Sequence, residues 1–148
     1  MQLTEHFSLE ELTYSATGSA RNLDNTISKA ANPVLFDNVL RTAQHMEQVR
    51  ALIGAPVSVI SCYRSFLVNK AVGGVADSDH LRALAVDMRN KKYSVRETFE
   101  LIKHSPLEYD QLINEFDSWV HIGFGHTMRR ENLVATKSGK KTIYTRVK

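Results

Sequence analysis

The stretch Ser78-Asp79-His80-Leu81-Arg82-Ala83-Leu84-Ala85-Val86-Asp87 constrains this chain more than any other. Its second half, continued by Met88, alternates as a strand does. Leu84, Val86 and Met88 share one face and Ala85 and Asp87 the other, so burying the first turns Asp87 the opposite way. His80 stands seven positions ahead of that carboxylate, and Trp119-Val120-His121 supplies a distant second imidazole. Two nitrogens and one oxygen suit Zn²⁺, and three protein ligands leave a fourth tetrahedral position open, as in hydrolytic rather than structural sites. One zinc ion held by His80, Asp87 and His121 is therefore expected. It would lower the pKa of a water toward ~7 and polarise a carbonyl. His-x6-Asp alone carries little weight, and the surrounding segments supply the specificity.

Along the chain, Ser8 with Glu11 marks a capping box before a short helix, broken at Ser15-Ala16-Thr17-Gly18-Ser19. Residues 17–33 look like a surface loop. From Val34 to Ile53 the apolar positions Leu35, Val39, Leu40, Met46, Val49 and Leu52 mark an amphipathic helix ended by Gly54 and Pro56. Val57 to Ser61 reads as a strand that delivers Tyr63 and Arg64 to its end. Ser65 to Val72 reads as a helix stopped by Gly73-Gly74, and Ser94 with Glu97 caps another that ends near His104. Gln111 to Phe116 and Ser118 to Phe124 look like two strands with a turn or bend around Asp117. The tail, about 131–148, fits a basic hairpin turning at Ser138-Gly139-Lys140. The expectation is α+β: a single domain, 1–148, with a small antiparallel sheet and flanking helices.

Three segments resemble the zinc peptidases of the D-Ala-D-Ala carboxypeptidase type, the M15 family, whose core fold is shared with the Hedgehog signalling domain. The pattern Ser-x-His-x4-Ala-x-Asp matches Ser78, His80, Ala85 and Asp87. An upstream Ser-x-Tyr-Arg-Ser…Asn…Val-Gly-Gly matches Ser61, Tyr63, Arg64, Ser65, Asn69, Val72, Gly73 and Gly74, and Trp-x-His matches Trp119 and His121. The opening Leu-Thr-Glu-His-Phe-Ser-Leu-Glu-Glu-Leu-Thr is similar to the start of small phage and prophage members. Ala83 and Cys62 stand where many relatives carry glycine. Cys62 is the only cysteine, so no internal disulfide is possible, and a small buried thiol is the expected role.

Amide hydrolysis also needs a base that takes the water's proton and returns it to the leaving amine. Many members of the resembled family place an acidic residue three positions before the last histidine ligand, where this chain has Ser118. Small phage-type members carry Glu-Phe-x-x-Trp-Val-His, which matches Glu115, Phe116, Trp119, Val120 and His121. Glu115 and Asp117 are the candidates, sharing parity with His121 if the strand is regular; the resemblance to that segment favours Glu115, and the alternative for Asp117 is a turn residue. The resemblance implies that Arg64 stabilises an oxyanion or holds a substrate carboxylate, with a structural salt bridge as the alternative. Ser78 would bond a substrate end or shape its loop. Tyr63 and Trp119 would form an apolar wall or pack in the core. His126 would line the cleft or support the ligands, whereas His6, His45 and His104 sit in ordinary helical or terminal contexts.

At 148 residues, 43% hydrophobic and 24% charged, the chain has ordinary globular values, and no apolar run approaches the ~20 residues of a membrane span. The N-terminus lacks the basic and apolar regions of a signal peptide, so synthesis in a host cytoplasm is expected. Residues 129–148 hold Arg129, Arg130, Lys137, Lys140, Lys141, Arg146 and Lys148 against Glu131, leaving the remainder net negative. Such a tail suits nucleic acid or an anionic cell envelope, but no aromatic platform accompanies it, and a solvated hairpin is the expectation. The resemblance implies a monomeric zinc peptidase acting on bacterial peptidoglycan. It would cut D-Ala-D-Ala as a carboxypeptidase or L-Ala-D-Glu as an endopeptidase, in the manner of a phage or prophage endolysin. The alternative is a zinc-stabilised, non-catalytic binding module of the same fold.

Overall fold

Helix α3 (Pro33–Ile53) is the apolar spine. Pro33 opens it at a position that lacks an intrahelical acceptor, and Gly54 closes it in the left-handed conformation at φ 73°. Phe36, Val39, Ala43, Met46, Val49 and Ile53 form its buried stripe, each large side chain contributing roughly 1.5–3 kcal/mol on removal from water. The computed structural model describes every residue from Met1 to Lys148. Around α3 lie α1 (Leu9–Thr13), α2 (Ala16–Ala20), β1 (Val57–Ser61), α4 (Phe66–Ala71), a 3-10 turn (Asp79–Arg82), β2 (Ala85–Asn90) and α5 (Val95–Lys103). The chain then runs through β3 (Gln111–Glu115), β4 (Trp119–Gly123), β5 (Glu131–Ser138) and β6 (Lys141–Val147).

The strands form one sheet in the order β1-β2-β4-β3-β5-β6, antiparallel except where β5 joins β3 in parallel. The fold is a single α+β domain, and its six strands are the six that the sequence marks. Val86, Met88, Leu112, Val120 and Ile122 point to one face and pack with the stripe of α3 and with Phe99 and Ile102 of α5. Asp87, Ile113, Glu115 and His121 belong to the opposite face, which the helices leave open. A bulge in β1 pairs Val59 with Met88 but Ser61 with Asp87, bringing the end of β1 up to the carboxylate.

Two expectations change. Residues 17–33 are not merely a surface loop, since Asn25 and Ile27 are buried there. Asn25 donates to the carbonyls of Thr13 and Tyr63 and accepts from the Ser65 amide, fixing the turn that presents Arg64. The hairpin of β5 and β6 is not simply solvated either, because one of its faces lines the cleft. Three cations in and just before it have partners within the chain: Arg129 pairs with Asp110, Arg146 of β6 with Glu131, and Arg130 donates to the carbonyls of Lys103, Ser105 and Leu107.

Candidate metal centre

The 3-10 turn that carries His80 is tied down from several sides. Ser78 Oγ caps it by accepting from the His80 amide at 3.2 Å. Thr42 of α3 donates to the Ala83 carbonyl at 2.6 Å, and Asn38 to that of Arg82 at 3.0 Å. Ala83 ends the turn at φ 59°, a left-handed conformation in which glycine carries no Cβ penalty. Beside the turn, β2 and β4 pair Asp87 directly with His121.

His80, Asp87 and His121 each offer a ligand atom, and these atoms lie within 4.8 Å of one another. The imidazole of His80 is 2% exposed. Its Nδ1 lies 2.6 Å from the Cys62 carbonyl, an acceptor that places a hydrogen on Nδ1 and orients the ring with Nε2 toward Asp87. Its Nε2 is buried and has no hydrogen-bond partner, yet sits 3.3 Å from Asp87 Oδ2. Two ligand atoms bound tetrahedrally to zinc at ~2.0–2.1 Å are separated by about 3.3–3.4 Å. An orphaned imidazole nitrogen at that spacing from a carboxylate fits a zinc site.

The charges agree. Burial opposes ionisation of Asp87, but the His80 and His121 imidazoles outweigh it and hold the carboxyl well below the usual range. Burial, opposed by Asp87, lowers the pKa of His80. His121 also loses solvation, but its 3.0 Å hydrogen bond to Asp87 Oδ1 and the charge of Asp87 raise its pKa. Nearby Cys62 is inert, because burial and then Asp87 push its thiol up.

A family model described as Peptidase M15 matches residues 5–123. The chain belongs to the peptidase M15 family. No curated protein matches it. As an M15 metallopeptidase with a His-Asp-His site, it takes a peptide substrate, and zinc is the typical M15 metal. No helix is long and apolar enough to cross a membrane.

The centre lies in a cleft of about 1170 Å³. Arg64, Ser78, Glu115, Trp119 and His126 line it, whereas Tyr63 and Asp117 do not. Arg64 donates through Nη1 to Asn69 Oδ1 at 2.9 Å and through Nε to Ser61 Oγ at 3.4 Å, and its Nη2 lies 3.6 Å from Asp87 Oδ2. Asn69 is 4% exposed and also donates to the Val75 carbonyl. A Cβ on Gly74 would strike Asn69 and come within 2.7 Å of Arg64 Nη1, so the second glycine of the Val-Gly-Gly motif makes room for this pair. Tyr63 packs into the apolar core. Trp119 meets Phe116 edge-on, with ring centroids 5.9 Å apart.

Glu115 and Asp117 have separate environments. The chain reverses at Phe116 and Asp117, both at positive φ, so strand parity does not link Asp117 to His121. Asp117 accepts from Asn114 Nδ2 at 2.8 Å and lies 3.4 Å from Arg96, a turn residue at the surface. Glu115 ends β3 opposite Trp119, one register step along the same face from the His121–Ile113 pair. It is 9% exposed. Burial raises its pKa despite the opposing charge of His121. Sequence reasoning missed Asn25 and the contribution of β5 and β6 to the cleft, where Leu133, Lys137, Thr142 and Tyr144 line it. The apolar-and-basic alternation of the tail was the available signal.

Proposed function

We propose that this M15 peptidase hydrolyses an amide bond in the stem peptide of bacterial peptidoglycan, as a phage or prophage endolysin. It would be made in a host cytoplasm and act on the cell wall. The observation that carries the hydrolytic reading is the buried, unpartnered His80 Nε2 facing ionised Asp87 beside His121. The peptidoglycan assignment is supported by the Glu-Phe-x-x-Trp-Val-His segment and by the opening residues, both similar to small phage-type members. The cleft exceeds the ~300–1,000 Å³ that encloses drug-sized ligands, room for several peptide residues.

His80, Asp87 and His121 would hold one zinc, which supplies polarisation of the scissile carbonyl and acidification of a water. Glu115 removes the proton from the attacking water and passes it to the leaving nitrogen as the C–N bond breaks. Its burial suits the first step, because a carboxyl with a raised pKa is a stronger base toward the water's proton. Arg64 steadies Asp87 and retains guanidinium N–H donors beyond those given to Asn69 and Ser61, available to a developing oxyanion. Trp119 and Phe116 exclude water from one side of the bound peptide.

Mass spectrometry of purified sacculi digested with and without a chelator tests this reading. New termini at D-Ala-D-Ala or L-Ala-D-Glu, absent with the chelator, are expected. Intact sacculi with a zinc-loaded protein would overturn it in favour of a non-catalytic zinc module.

A further inference from the structure

The C-terminal hairpin lies beyond the segment matched by the family model, which ends at residue 123, yet it forms one side of the cleft. β5 pairs with β3 so that Ala135 faces Glu115, and β6 returns with Tyr144 opposite Ala135 and Thr142 opposite Lys137. Directly paired residues share a face of the sheet. Trp119, Glu115, Ala135 and Tyr144 therefore form one row, and Lys137 with Thr142 occupies the next position on that face. Ala135 is fully buried, and its methyl group is the smallest side chain of the row.

Arg64, Arg82, Arg129 and Lys137 are the arginine and lysine side chains that line the cleft. Asp87, Asp79 and Asp110 partner the three arginines. Lys137 has no carboxylate within ion-pair distance. Its ammonium donates to Thr142 Oγ1 at 3.1 Å and lies 4.9 Å from the centroid of the Phe116 ring. A hydroxyl and an aromatic face thus position a cation whose remaining two N–H donors have no protein acceptor.

We propose that Lys137, held by Thr142 over the face of Phe116, is a subsite for a carboxylate of the peptide substrate next to the amide that is cut. This rests on the hydrolytic reading and names what the substrate must carry. Both candidate bonds meet the requirement. Terminal D-Ala bears its α-carboxylate, and D-Glu linked through its γ-carboxyl leaves its α-carboxylate free, in each case on the residue that departs. Lysine, a compact charge on a flexible stem, accepts a carboxylate over a range of angles.

The test uses the full zinc-loaded chain and the synthetic peptide L-Ala-γ-D-Glu-L-Lys-D-Ala-D-Ala, beside versions amidated at the D-Glu α-carboxylate or at the C-terminus. For the wild type, amidating the carboxylate that is read should raise KM about tenfold with kcat nearly constant, the scale of one hydrogen bond to a charged group. The amide that has this effect identifies which carboxylate is bound. Lys137→Met should raise KM for the acid peptide to the level of the amide and leave the amide unaffected, and Lys137→Arg should restore the preference. Equal effects on acid and amide peptides, or none, would overturn the subsite. If the wild type cuts none of the peptides, the hydrolytic reading falls on its own, and calorimetric binding of the same peptides decides the subsite. A preference for acid over amide that Lys137→Met abolishes supports it, and equal affinities overturn it.

Discussion

Asp87 and His121 face each other across β2 and β4, strands bonded on both sides, whereas Lys137 and Tyr144 stand on the last two strands of the same sheet. Behind the first pair, Val86, Met88, Val120 and Ile122 are locked into the core. A register slip of one residue would turn the carboxylate into that core and expose the apolar face, so the ligand positions are fixed by the burial of their neighbours. The hairpin is held by backbone pairing and by the partly buried Val134 and Val147, and most of its side chains meet solvent. One region has the rigidity that chemistry requires. The other can change side chains with little effect on the fold, which suits selection among substrates.

The strongest way to break the comparison is to remove a ligand. His80→Ala or His121→Ala should lose the zinc and with it peptide cleavage, because two ligands bind far more weakly than three. Full zinc occupancy in either variant, by elemental analysis, would sink the assignment. Zinc uptake should also weaken as pH falls through the raised pKa of His121, since the proton it holds against Asp87 must leave before the ring can ligate. Proton release measured by calorimetry in buffers of different ionisation enthalpy checks the sign.

Glu115→Gln comes next. It should lower turnover about 10²–10⁴-fold with zinc retained, the range for losing a general base. Asp117→Asn should stay near wild-type activity, because its bonds to Asn114 and Arg96 serve the turn. An inactive Asp117→Asn beside an active Glu115→Gln would reverse the roles. Arg64→Lys keeps the charge but loses the planar fork, and a fall of roughly 10²-fold in kcat with zinc retained is expected. Unchanged kinetics would leave Arg64 a purely structural partner of Asp87.

Smaller effects separate the loop after β4 from both regions. Asp110 accepts from the Thr127 hydroxyl, the Arg129 amide and two guanidinium nitrogens. Those bonds, led by Arg129, hold its carboxyl down at about 2, below the ordinary aspartate range. A lowered folded-state pKa gives stability that is complete above the unfolded value and lost as pH falls from there toward 2. With solvent screening around the half-exposed Arg129, the contribution is on the order of 1 kcal/mol, so Asp110→Asn should lose that much at neutral pH and flatten the acid limb of a denaturation profile. Unaltered stability between pH 2 and 4 would contradict this. Lys137→Met, at an exposed hairpin position, should move stability by less than about 0.5 kcal/mol.

Much of the site was readable in the sequence because each signal had one physical source. Alternation around Asp87 fixed its face, and Ser94 with Glu97 forms the expected capping box. Gly54 ends α3 as expected. What escaped depends on contacts between distant segments. Nothing near Asn25 shows that its amide will tie Thr13, Tyr63 and Ser65 together. The parity linking Glu115 and Asp117 to His121 held only for a continuous strand, and the reversal at Phe116 and Asp117 replaced it with cross-strand register. The parallel pairing of β5 with β3, which carries Lys137 to the cleft, leaves no local mark because its partner lies far back in the chain.

Stepwise addition of zinc to metal-free protein, followed by cleavage of a stem peptide, tests most directly whether His80, Asp87 and His121 form a hydrolytic centre. Activity should rise linearly to one equivalent of zinc and then stay flat, and His80→Ala should show no rise. Cleavage by the metal-free protein, or the same one-equivalent break in His80→Ala, would contradict the account.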